Sequence, residues 1–285
     1  MSEIQKRVEN QIGRENMNIM LFADDIFVWG KNQNELQTQI DKWTDIAAEY
    51  GLQFSAGKSE IVVLKSEEPV EGDIVMSGTT LKKVDHFKYL GSIISEDSPI
   101  NKEMDRRIQQ GSAFYNKVKD LIWSSYVPLK CKRTLFQTYF VPIITYASET
   151  WVMKGKDESR LQAAEMRFVR SMLGKTRRDR IRNEVCRNLA GVEKVQERIE
   201  RTRLKWYGHM QRMENVSIPK QMFNLELNGR RRRGRPRLRW KDMINRDISK
   251  RGQNPNTINI HRKYNDRIWW RGFVHSRPVP LDGTT

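Results

Sequence analysis

Two adjacent carboxylates set between two short apolar runs constrain this chain more than any other feature. Asn18-Ile19-Met20-Leu21 leads into Phe22-Ala23-Asp24-Asp25, and Ile26-Phe27-Val28-Trp29-Gly30 follows. Each run is long enough for a strand and too short for a helix, and the acids between them mark a reverse turn. The spacing predicts a β-hairpin over residues 17–30 with Asp24 and Asp25 at its tip. Neighbouring carboxylates repel each other and resist burial. Two readings stand at this point. One is a solvated turn, where Asp is common. The other is a divalent-cation site, because hard carboxylate oxygens suit Mg²⁺, which takes one or two carboxylates and completes its shell with phosphates.

Charge divides the chain. Residues 1–100 carry 10 Lys and Arg against 17 Asp and Glu, a net of −7, whereas residues 101–285 carry 42 against 18, a net of +24. That asymmetry places a domain change near residue 97 and makes the second part a candidate for binding a polyanion; the bland alternative is a generically basic helical domain. A length of 285 residues allows two domains and a sizeable core, while 38% apolar residues implies that part of the chain is exposed or extended. Cys131 and Cys186 are too few for a disulfide framework, and with His86, His209, His261 and His275 they match no zinc spacing. A reducing compartment, nucleus or cytoplasm, is expected rather than secretion. The longest apolar stretch, Tyr139 to Ala147, is interrupted by Pro142 and too short for a membrane span, and Met1 to Arg7 lacks the apolar core of a signal peptide.

Periodicity predicts the elements. Ile40, Trp43, Ile46, Ala47 and Tyr50 recur at helical spacing, with Asn34 as N-cap and Gly51 as terminator. Short strands are expected over 60–65, 73–76, 80–82 and 86–95. After Asp97-Ser98-Pro99 the pattern turns helical. One stripe is Ile100, Met104, Ile108, Phe114, Val118 and Leu121, and it includes Gln110-Gly111. A second helix holds Leu135 and Tyr139 and is expected to end at Pro142. A third stripe, Leu161, Ala164, Phe168 and Met172, follows an Asp157 cap, and a fourth is Val195, Ile199, Thr202, Trp206 and Met210. These are core stripes rather than a cofactor site. Arg198, Arg201, Arg203 and Lys205 are placed on the polar side of the fourth helix. Lys175 to Arg182 is expected to present Arg177, Arg178 and Arg180 on about two helical turns. Guanidinium groups suit bidentate phosphate contacts, which position a nucleic acid without reading its sequence. Leu238, Trp240, Met243, Ile244 and Ile248 suggest a further packed helix, and the segment from Asn254 a last one.

The sharpest basic feature is Arg230, Arg231, Arg232 and Arg233, followed by Gly234-Arg235-Pro236-Arg237. Its Arg-Gly-Arg-Pro core resembles an AT-hook, whose arginines enter a narrow minor groove of concentrated negative potential. A nuclear localisation signal, a duplex-backbone contact and a solvated loop are the other readings.

The aromatic-Ala-Asp-Asp box resembles the metal-binding hairpin of reverse transcriptases. Gly57-Lys58-Ser59-Glu60, after the first helix, resembles the Lys-Ser/Thr-Glu segment of that family, and Phe87-Lys88-Tyr89-Leu90-Gly91 resembles its primer-grip hairpin. Tyr146 to Trp151, Arg203 to His209 and Arg233 to Trp240 extend the likeness to the non-LTR retrotransposon type, over about residues 17–250. The resemblance implies an α+β fold, a partial palm of short antiparallel strands plus one helix, followed by an all-helical thumb-like and basic region. It implies residues 1–96 as palm, 97–156 as thumb, 157–252 as a basic nucleic-acid-binding region and 253–285 as a C-terminal helix and tail. It implies RNA-directed DNA polymerase ancestry, Mg²⁺ held by Asp24 and Asp25, Lys58 as proton donor to the leaving pyrophosphate, Phe87 to Gly91 against the primer end, and RNA–DNA hybrid or duplex DNA as partner.

Two-metal phosphoryl transfer needs acids from two places in the fold. Before Asp24 the acids are Glu3, Glu9 and Glu15, and none sits in an apolar strand followed by an aromatic residue, as the family's first metal site requires. The nucleotide-binding Gly segment and the fingers are not recognisable either. The chain alone is therefore expected to lack polymerase activity and to retain nucleic-acid binding. The alternatives are a non-catalytic nuclear binding protein and an expressed relic without function.

Overall fold

The computed structural model describes residues 18–64, 72–95, 99–225 and 238–278. Alternation around the paired acids produces a hairpin in which β1 (Ile19–Phe22) runs antiparallel to β2 (Asp25–Val28), with Ile19 opposite Val28 and Phe22 opposite Asp25. Ile19 and Leu21 pack on Trp43 and Ile46 of α1 (Gln33–Glu49). The cap of α1 is Asn32 rather than Asn34. The Asn32 side chain accepts the Glu35 N–H at 2.9 Å, and its carbonyl already accepts Leu36 N–H, so the helix begins ahead of its apolar stripe. At the other end Gly51 takes φ +70°, Leu52 N–H returns to the Ala47 carbonyl and Gly51 N–H to that of Ala48. That is the Schellman closure glycine permits.

Among the described residues six short strands follow: β3 (Glu60–Ile61), β4 (Val75–Met76), β5 (Thr79–Thr80), β6 (Lys82–Lys83), β7 (His86–Tyr89) and β8 (Ser92–Ser95). β4–β5 and β7–β8 are tight antiparallel hairpins with positive φ at Ser77 and Gly78, and at Leu90 and Gly91. Two consecutive positive φ values match the type I′ turn that suits strand twist. β3 pairs in parallel with β6, a departure from the all-antiparallel expectation. The expected strand at 80–82 divides because Leu81 turns inward and its N–H bonds to the Ile74 carbonyl at 2.8 Å. Ile74, Met76 and Leu81 form a small core with Leu36, Ile40, Phe54, Ala56 and Ile61.

The chain separates into two compact units, Met1–Glu103 and Met104–Thr285, with the boundary inside α2 (Pro99–Trp123). The second unit is helical. The buried face of α2 includes Met104, Gly111, Tyr115 and Ile122, a strict 3.6-residue repeat. Leu121, assigned to that stripe from the sequence, is instead 45% exposed. α3 (Leu129–Leu135) passes into a π-helical segment, Phe136–Phe140, and on into α4 (Val141–Thr145). Pro142 therefore does not end the helix as expected. Proline at the second position of α4 lacks the N–H that would bond to residue 138, and the wider π winding, with Val141 N–H on the Phe136 carbonyl, takes up the misfit.

α5 (Gly155–Met172) is capped at Lys154, and Asp157 acts from the third position by accepting the Lys154 N–H at 3.0 Å. α6 (Asn183–Ala190), α7 (Val195–Gln211), α8 (Ile218–Asn224), α9 (Trp240–Ser249), α10 (Pro255–Ile260) and α11 (Arg267–His275) complete the described helices. One core gathers Tyr115, Phe136, Phe140 and Phe168, with the Phe140 and Phe168 rings 4.8 Å apart. A second gathers Leu204, Tyr207, Ile244, Ile248, Trp270 and Phe273.

Several basic residues turn inward. Arg203, placed on the polar side from the sequence, is buried. It donates to Asp247 at 2.7 Å and to the Trp151 carbonyl at 2.7 Å. Arg187 and Glu165 form a buried bidentate pair at 2.8 and 3.0 Å. No helix among the described residues is long and apolar enough to cross a membrane.

Candidate acid-hairpin and nucleic-acid site

The acid turn consists of Ala23 and Asp24. Ala23 takes φ +53°, a left-handed conformation that costs an L-residue about 1–2 kcal/mol. Asp24 has no positive φ, so Ala23 alone of the two turn residues carries the unusual backbone sign. Both acids are exposed. Cross-strand partners share a face. Ile19, Leu21, Ile26 and Val28 therefore occupy the α1 side, and Asp25, Phe27 and Trp29 the other.

The second face meets the β7–β8 hairpin. The Phe27 ring lies 5.5 Å from Phe87, stacked, 5.2 Å from Tyr89 and 5.7 Å from Trp29. Aromatic pairs at such separations contribute roughly 0.5–1.5 kcal/mol each beyond their buried area. Burial, and after it the Asp25 carboxylate, push the Tyr89 hydroxyl above its ordinary pKa. Asp25 thus stands within electrostatic reach of Tyr89. Lys88 is exposed, and Leu90 and Gly91 make the turn. The hairpin is anchored from the start of α2. Ile93 N–H donates to Glu103 at 3.0 Å, and Lys102 donates to Asp85 at 2.9 Å. Hydrogen bonds from Lys102 first, then His86, hold the Asp85 carboxyl down at about 2.

Lys58 closes a 3-10 turn, Ala56–Lys58, and is exposed. Phe54 and Ala56 fix that turn to the small core. Among the described residues Lys58 makes no ion pair with Asp24 or Asp25. The structure therefore brings the acid hairpin together with the Phe87 to Gly91 hairpin through Phe27, Phe87 and Tyr89. No set of three His, Cys, Asp or Glu among the described residues is placed to hold a metal. Two exposed carboxylates fit a single Mg²⁺ whose other positions are filled by water and phosphate. They fall short of a two-metal donor set.

The arginine segment in the second unit takes a different form from the expected helix. α5 ends at Met172 and Gly174 takes φ +63°. Thr176 N–H and Oγ1 then donate to Asp179 at 2.7 and 2.9 Å around a single 3-10 turn, Arg177–Asp179. Those bonds hold the Asp179 carboxyl below its ordinary pKa. Arg180, at φ +54°, turns the chain away before α6 begins. Arg177, Arg178 and Arg180 are exposed on this capped loop, not on two helical turns. Arg230, Arg231, Arg232, Arg233, Arg235 and Arg237 lie outside the described residues. Phe27 and Trp29 were not among the residues singled out from the sequence. The signal was present, since 25, 27 and 29 alternate on one face as 87 and 89 do on theirs.

Residues 1–94 match the family model described as reverse transcriptase (RNA-dependent DNA polymerase). The acid hairpin, Lys58 and the Phe87 to Gly91 hairpin turn all fall inside the matched region. A transposon-derived protein of Caenorhabditis elegans is 25% identical over 248 residues, which cover 85% of this chain and 88% of that protein. No solved structure matches the chain.

Proposed function

We propose that this chain is a nucleic-acid-binding protein derived from a non-LTR retrotransposon reverse transcriptase, and that its two N-terminal hairpins receive a primer end. The aromatic packing of Phe27 on Phe87 and Tyr89 carries the reading, because it holds Asp25 against the Phe87 to Gly91 hairpin. Asp24 and Asp25 would hold Mg²⁺, which when bound neutralises charge on phosphate oxygens. Phe87 to Gly91 orients the strand end beside them. Lys58, exposed on its 3-10 turn, supplies positive charge or a proton to a leaving phosphate that reaches it. Two-metal chemistry needs a carboxylate beyond this pair, and none of the described residues supplies it. In this reading the chain by itself binds a nucleic acid without extending a primer. On the same reading residues 97–156 act as thumb and residues 157–252 as the basic grip on RNA–DNA hybrid or duplex DNA, in the nucleus or the cytoplasm.

The test is fluorescence anisotropy with labelled duplex DNA, RNA–DNA hybrid and single strands over a salt series. The comparison protein has Arg230 to Arg233, Arg235 and Arg237 changed to Ala. Saturable binding with a steep salt slope is expected, flattened in the variant. A folded sample that does not bind at moderate salt would refute the reading. Primer extension with Mg²⁺ that disappears in Asp24→Ala would overturn its non-catalytic part.

A further inference from the structure

A second basic surface lies on α11 and α7. The inner side of α11 buries Trp270, Phe273 and Val274. Its outer side presents Arg267, Ile268, Arg271, Gly272 and His275 around an open groove of about 580 Å³. Arg267, Arg271 and His275 recur every four residues, so they form one row with a rise of about 6 Å between members. α11 is held tightly against α7. A Cβ at Gly208 would lie 2.1 Å from Trp270 Nε1, and that N–H donates to the Leu204 carbonyl at 3.2 Å.

The row from α11 adjoins one on α7, formed by Arg201, Lys205 and, at the helix end, Arg212. Burial first, then the charges of Lys205, Arg201 and Arg271, hold the His275 imidazole below its ordinary pKa. Arg212 is lowered by burial and then by Arg267. The helices therefore run antiparallel, with His275 near Arg201 and Lys205, and Arg267 near Arg212. Arg201 is paired with Glu193, and Arg212 donates to the Tyr264 carbonyl at 2.8 Å. Among the described residues Lys205, Arg267 and Arg271 have no carboxylate partner. Unpaired like charges crowded on one face are mutually repulsive in the free protein, and a polyanion relieves that repulsion. Ile268, 87% exposed, stands among them as an apolar contact for a sugar or base.

We propose that the paired rows of α7 and α11, centred on Lys205, Arg267, Arg271 and His275, form a nucleic-acid-binding surface that grips the phosphate backbone without reading sequence. It rests on the nucleic-acid-binding reading above and is built from residues other than those of the N-terminal hairpins and of the arginine run at 230–237. The contacts are charge-assisted bonds to phosphates, so they add to affinity and salt dependence and not to sequence preference.

The deciding comparison uses the full chain with Arg267→Gln, Arg271→Gln and His275→Gln together, against an equal loss of two cations and one imidazole elsewhere, Lys130→Gln, Lys156→Gln and His261→Gln. Both are exposed triple changes, and circular dichroism checks that each remains folded. The α11 variant is expected to bind duplex and single strands at least about 10-fold more weakly, with a salt slope shallower by roughly two. The control is expected to stay near wild type. Equal weakening of both variants would show that only net charge matters and would overturn the site. So would an α11 variant that binds like the wild type. Failure of the folded wild-type chain to bind would remove the broader reading along with this one.

Discussion

Adding one methyl group at Gly208 tests the close crossing of α7 and α11. Alanine normally improves a helix interior by about 1 kcal/mol relative to glycine. At Gly208 the new Cβ would lie 2.1 Å from Trp270 Nε1 and 2.7 Å from Cδ1 and Cε2. The indole is 4% exposed and cannot move outward without disturbing Tyr207 and Phe273. Overpacking of this kind costs about 1–3 kcal/mol. Displacing the indole also breaks its hydrogen bond to the Leu204 carbonyl, worth about 1 kcal/mol. After the propensity gain, Gly208→Ala is expected to destabilise by about 1–3 kcal/mol, lowering Tm by roughly 3–10 °C for a unit of this size. Gly272 in α11 has no atom within 4 Å of its Cβ position. The same substitution there is expected to raise stability by up to about 1 kcal/mol. Thermal melts followed by circular dichroism and tryptophan fluorescence give both values. A Gly208→Ala protein that melts at or above wild type, while Gly272→Ala behaves as stated, would refute the crossing geometry.

Other perturbations have defined outcomes. Phe27→Ala removes three ring contacts and should lower the stability of the first unit by about 2–4 kcal/mol in denaturant titrations; a change below about 0.5 kcal/mol would mean that the hairpins do not depend on each other. Ala23→Gly relieves a left-handed alanine and should raise stability by up to about 1 kcal/mol, and a loss of stability would count against the turn described. Asp247→Ala leaves the buried Arg203 uncompensated and should cost about 3–5 kcal/mol, whereas replacing both partners by Leu should cost much less; equal losses would argue against a desolvated pair. Nucleic-acid affinity should rise as pH falls from neutral into the mildly acid range. Burial first, then Lys205 and Arg201 from α7 and Arg271 from α11, depress the His275 imidazole in the free chain; a bound phosphate offsets the cations' share, and binding therefore takes up a proton. Anisotropy titrations from neutral to mildly acid pH on wild type and His275→Gln check this, and an unchanged pH slope in the variant would contradict it.

The acid hairpin was legible because alternation, turn chemistry and apolar flanks agree over a dozen residues. The packed α5, α7 and α9 helices were legible from their 3.6-residue stripes. What stayed hidden depended on partners distant in sequence. Arg203 looks like any surface arginine until Asp247 and the Trp151 carbonyl are seen to enclose it. Pro142 reads as a helix end because local rules cannot anticipate a π segment. Asn34 and Asp157 were read as caps when the caps were Asn32 and Lys154, since side-chain chemistry alone does not fix which residue starts the hydrogen-bonded ladder. Lys175 to Arg182 looked helical by composition, but the Thr176–Asp179 box and the left-handed Arg180 outweigh propensity. At the candidate site, Asp24, Asp25 and Phe87 to Gly91 were named from sequence. The link between them through Phe27 and Trp29 required the two hairpins to be seen side by side.

The inward-facing arginines carry a practical consequence. Ionic strength should separate the basic residues into two populations. Arg187 with Glu165 and Arg203 with Asp247 sit in the low-dielectric interior, out of reach of mobile ions. The exposed cations exchange their counterions freely with the medium. A concentrated salt wash should therefore strip adhering polyanions from this protein while its helices stay assembled, so that a preparation carrying cellular nucleic acid can be cleared without refolding.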